Sequence, residues 1–72
     1  MDIGSTLRTI RLERGLTQQA LSDRVGIDRQ YVVKIERGHV AAGVRVLGDI
    51  CVNGLRMRLS EFIARAEAGE RG

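Results

Sequence analysis

Residues 18–37 read QQALSDRVGIDRQYVVKIER, and this stretch decides the fold. Thr17 before it and Asp28 within it are good N-caps, so helices are predicted to open at Gln18 and Arg29. Leu21 and Val25 lie one turn apart on the first helix, and Val32 and Ile35 share a face of the second. Gly26 stands between them, where a tight turn needs a residue that tolerates positive φ. Ile27 anchors the turn with an apolar side chain, and small Ser22 lets the second helix pass close to the first. This combination specifies two short helices crossing steeply through a tight turn, in preference to a generic helical hairpin.

Upstream, Ile3, Leu7 and Ile10 fall on one face of a helix expected over residues 4–14, with Arg8, Arg11 and Arg14 along its side. Gly15 ends it as a residue of positive φ. Downstream, Gly38 stops the helix of residues 29–37, and a fourth helix is expected over residues 43–53, striped by Val44, Leu47 and Ile50 and capped by Gly54. Leu55-Arg56-Met57-Arg58-Leu59 alternates apolar and basic, which is the period of a strand. An extended link is preferred there, with a strand paired to a second copy as the alternative. Ser60 then reads as the N-cap of a short helix through Glu67. With no proline and no long β-branched run, the expectation is all-α: a compact bundle of about five helices around a central helix-turn-helix. The domain is expected over residues 1–68, with 55–68 as a dimerisation segment and 69–72 as a short tail.

Composition narrows the function. Seventy-two residues leave no room for a deep cleft between lobes. One cysteine cannot form an intrachain disulfide, and the sequence holds no Cys/His cluster for a metal. No nucleophile and base stand together, so neither enzyme chemistry nor a cofactor is expected. No apolar run approaches the roughly 20 residues that span a bilayer, and the first residues lack the pattern of a signal peptide. A cytoplasmic location is expected. The formal charge of +3 favours an anionic partner, though weakly.

Leu7-Arg8 with Arg11, Gly15-Leu16-Thr17-Gln18 with Leu21, Val25-Gly26-Ile27 and Ile35-Glu36-Arg37-Gly38 together resemble the phage-repressor and Cro-type helix-turn-helix regulators of the XRE family. The similarity continues through Leu47, Ile50 and Leu59-Ser60-Glu61-Phe62, nearly the whole chain. Asp28 to Val32 followed by Ile35 to Gly38 looks most like the controller proteins of restriction–modification systems, and also like the antitoxin partners of bacterial toxins. Two segments depart from the family pattern. His39-Val40-Ala41-Ala42-Gly43 is nearly chargeless where relatives carry a polar or proline-bearing loop that touches phosphate, and the stretch from Cys51 to Arg58 is longer.

The resemblance implies a regulator that binds double-stranded DNA as a homodimer, its third helix in the major groove of a palindromic operator. A toxin-masking interaction module is the alternative. Arg29, Gln30 and Lys34 lie opposite Val32 and Ile35, so they are the candidates for reading bases: arginine can grip guanine, and glutamine adenine. Gln18, at the start of the second helix, is where relatives place a glutamine against phosphate. Tyr31 could donate its hydroxyl to a phosphate or lay its ring over the turn, and Arg37 could reach a phosphate or complement its own helix end. The resemblance also implies a structural ion pair between Arg11 and Glu36. Leu55, Met57, Leu59, Phe62 and Ile63 are apolar side chains beyond what one small core can absorb, so they are the expected dimer interface.

Overall fold

In the computed structural model, which describes residues 1–70, three helices open on the side-chain caps that local chemistry favours. Asp2 starts α1 (Ile3–Glu13) by accepting from the Ser5 N–H at 2.9 Å. Thr17 Oγ1 accepts from the Ala20 N–H at 2.9 Å to open α2 (Gln18–Val25). Asp28 Oδ1 accepts from the Gln30 N–H at 2.7 Å to open α3 (Arg29–Glu36). The turn between α2 and α3 forms as the sequence predicts. Gly26 sits at φ 79°, and the N–H groups of Gly26 and Ile27 both return to the Ser22 carbonyl.

After a loop that packs Val40 and Ala42 on the core, α4 (Val44–Asp49) runs without a break into a π-helical turn over Ile50–Leu55. Arg56, in the left-handed conformation at φ 59°, closes that turn, and a short link leads to α5 (Leu59–Glu70). The five helices give the expected all-α architecture, with no strand among the described residues. None of these helices is long and apolar enough to cross a membrane.

The C-terminal third differs from the sequence reading in detail. Leu55 belongs to the π-helical turn, so residues 55–59 form neither a strand nor an extended link. Gly54 does not cap the fourth helix. It is buried beneath α2, where an added Cβ would collide with the Leu21 side chain and come within 3.0 Å of Val25 Cγ2. Ser60 is not the cap of α5. The helix opens at Leu59, two residues before a Ser60 cap would start it, and Glu61 Oε1 reaches back to accept from the Arg58 N–H at 3.1 Å, one half of a capping box. The helix also continues past Glu67, through Gly69 and Glu70 of the expected tail; residues 71–72 of that tail lie outside the described residues.

The core collects one stripe from each helix: Leu7 and Ile10, Leu21, Val32 and Ile35, Leu47 with Ile50, Cys51 and Leu55, then Phe62 and Ala66. α1 packs on both α3 and α5, while α2 packs on α3 and on the π-helical turn. Two arginines fasten that turn. Arg24 Nη1 donates to the Gly54 carbonyl at 3.0 Å and Arg14 Nε to the Leu55 carbonyl at 3.1 Å, so carbonyls that lose helical partners there are satisfied. Gly54→Ala is expected to cost about 1–3 kcal/mol, because α2 must shift to clear the methyl group. A lowered urea midpoint with unchanged slope would show it.

Burial also governs Cys51, which is fully enclosed and whose thiol is pushed up to about 11 by desolvation. Alkylation of Cys51 at pH 8 is therefore expected to proceed at the rate of unfolding, and to accelerate only as denaturant opens the chain.

Candidate nucleic-acid interface

α3 is held by its apolar side. Val32 is fully buried and Ile35 is 2% exposed, which turns Arg29, Gln30, Lys34 and Arg37 outward. None of these four side chains has a hydrogen bond or ion pair among the described residues. Tyr31 is half-buried with its ring against the core, and its hydroxyl has no protein partner among the described residues.

Beside this face, Arg8, Arg11, Thr17, Gln18, Glu36 and Arg37 line an open cleft of about 460 Å³. It lies where α1, the first turn of α2 and the end of α3 meet. Arg11 and Glu36 form its floor as the sequence resemblance implied: Nε donates to Oε2 at 2.7 Å and Nη2 to Oε1 at 3.1 Å. The two side chains are only 8% and 3% exposed. Arg11 Nη1 donates further to the Leu16 carbonyl at 2.7 Å, tying α1 to the approach of α2. Gln18 joins the same network, its Nε2 donating to Glu36 Oε1 at 3.2 Å. One amide hydrogen of Gln18 is thus committed inward and the other stays available.

The electrostatics follow. The single carboxylate of the cleft is held by Arg11, so Arg8 and Arg37 stand at its mouth with no counterion among the described residues. The free N–H groups of the first turn of α2 add to that positive field. The arrangement suits a phosphate oxygen beside a helix that can enter a groove.

Sequence reasoning missed Arg8 as part of this cleft. The signal was present in the spacing of Arg8, Arg11 and Arg14, one every turn of α1. The three have different partners: Arg8 faces the cleft, Arg11 is buried in the ion pair and Arg14 holds the Leu55 carbonyl.

The expected dimer residues divide. Leu55 and Phe62 are completely buried inside one chain and are core residues, which corrects the sequence expectation for both. The π-helical turn brings Leu55 inward, and α5 crosses α1 closely enough to bury Phe62. Met57, Leu59 and Ile63 are half-buried at the edge of the core. Val52, 58% exposed, lines one shallow surface with Met57.

Comparison with known proteins agrees with this geometry. The family described as helix-turn-helix, HTH_3, matches residues 7–52. The wild-type restriction–modification controller protein C.Esp1396I is similar at 30% identity, with a TM-score of 0.81 over 89% of this chain and 82% of that one. The controller protein C.AhdI from Aeromonas hydrophila is similar at 30% identity, with a TM-score of 0.79 over 85% and 91%. ClgR, the clp gene regulator of C. glutamicum, shares the fold at 22% identity, with a TM-score of 0.87 over 94% and 87%. The search of curated proteins gave no match.

Proposed function

The chain belongs to the HTH_3 helix-turn-helix family, and from that premise we propose that it is a sequence-specific DNA-binding regulator acting as a homodimer on a palindromic operator. The observation that carries this reading is the outward face of α3, where Arg29, Gln30 and Lys34 project into solvent without a protein partner among the described residues. Arg29 suits guanine O6 and N7, Gln30 suits adenine N6 and N7, and Lys34 extends the contact by one turn. Gln18, Arg37 and the Tyr31 hydroxyl, with Arg8, hold the flanking phosphates and set the register of α3 in the groove. Free cations around a reading helix favour this function over toxin masking, which needs a binding surface for protein.

The dimer follows from reach. α3 has 8 residues, about 12 Å of helix, and fills one stretch of major groove. Two such helices about 34 Å apart on a palindrome double the contact set. Met57, Leu59 and Ile63, joined by Val52, supply the apolar surface for the partner copy.

Arg29→Ala and Gln30→Ala are each expected to cost about 1–3 kcal/mol on a site selected from random duplexes, and far less on unrelated DNA. Fluorescence anisotropy on both duplexes measures the difference. Equal losses on the two would assign these side chains to the backbone and refute the reading-head role.

A further inference from the structure

On α3, Val33 stands apart from both the core stripe and the polar side chains. It is half-buried, yet it is not among the apolar side chains that pack on the core. Its position, four residues after Arg29, three after Gln30 and four before Arg37, puts it in the middle of the outward face. Local helix stability does not account for it, since a β-branched residue is a weaker helix former than the straight-chain residues that suit an exposed position. The strongly exposed aliphatic side chains Leu12, Val44 and Val52 lie on other elements, so none of them competes with Val33 for this face.

Among the groups that base pairs present in the major groove, the C5-methyl of thymine is the apolar one. We infer that Val33 reads a thymine methyl, and that each half-site carries a thymine next to the bases met by Arg29 and Gln30. This rests on the placement of α3 in the major groove. The methyl of thymine and the two methyls of Val33 leave water together, which gives discrimination without a hydrogen bond and helps to centre the polar contacts around it.

The test replaces thymine by deoxyuridine, which removes the methyl and nothing else, at symmetric positions of a duplex selected by the wild-type protein. At one position per half-site, wild-type affinity is expected to fall about fourfold per half-site, roughly 15-fold for the dimer. Val33→Ala should bind the thymine duplex more weakly and be indifferent to deoxyuridine at that position. Val33→Thr, of nearly the same shape, should show a reduced effect and guards against a change in fold. An enriched site with no position where the methyl matters to the wild type would overturn the inference alone. So would variants as sensitive to deoxyuridine as the wild type. Selection that enriches no site would overturn the DNA-reading function itself, and the inference with it.

Discussion

Glu36→Ala is expected to lower the free energy of unfolding by about 3–5 kcal/mol, and Arg11→Ala by a similar amount. The pair is a poor source of net stability while intact, because both groups give up water to form it. Breaking it is a different matter. Without Glu36, the Arg11 guanidinium stays under the cleft with only the Leu16 carbonyl as acceptor. Without Arg11, Glu36 keeps the Gln18 amide alone, and the Leu16 carbonyl loses its donor. A domain of this size has a total stability of only about 5 kcal/mol or somewhat more, so either variant should be largely unfolded at 37 °C. Urea melts of both singles and the double variant make the check, with the double expected to lose well under the sum. Strict additivity would mean that the two residues do not act as a pair. Glu36→Ala should also bind DNA more weakly even in stabilising buffer, since Gln18 then loses its anchor.

Phe62 should behave as a core residue in the same kind of experiment. Phe62→Ala is expected to cost about 3–5 kcal/mol, from lost transfer energy plus the cavity left between α5 and its neighbours. Phe62→Asp, which adds a buried charge without a partner, should yield no folded protein at all. Ile63→Asp differs in kind: its half-exposed side chain can turn a carboxylate to water, so the fold should persist while the proposed dimer dissociates. Analytical ultracentrifugation paired with circular dichroism separates the two outcomes. A folded Phe62→Asp monomer would return Phe62 to the interface. A folded Ile63→Asp dimer, still tight on its operator, would place the interface elsewhere.

The contrast between Phe62 and Ile63 shows where sequence reading stops. The helix-turn-helix was legible because its constraints are local: caps at Thr17 and Asp28, a turn at Gly26, and a small side chain at Ser22 each act within a few residues. The Arg11–Glu36 pair was legible through resemblance, though 25 residues separate its members. The assignment of Leu55 and Phe62 depended on long-range geometry instead. Alternation from Leu55 to Leu59 suggested an extended backbone, whereas a wide helical turn and one left-handed residue at Arg56 give the same alternation of burial. Gly54 falls under the same limit: its small size serves the approach of Leu21 from α2, which no neighbour in sequence announces. The distinct duties of Arg8 and Arg14 likewise depended on what lies across from each.

The π-helical turn also bears on how this chain can change length. An α-helix advances about 100° per residue, so losing one residue from α1 or α3 rotates everything beyond it and swings Ile10 or Ile35 out of the core. The stretch from Ile50 to Leu55 already carries a wider turn than an α-helix needs. Deleting Val52 or Asn53, both exposed, lets it relax to ordinary α-helical winding with Leu55 still facing inward. Arg14 and Arg24, gripping carbonyls at its far end, hold the exit in place while the winding changes. This turn is thus the place in the fold expected to lose a residue while α3 stays where it is.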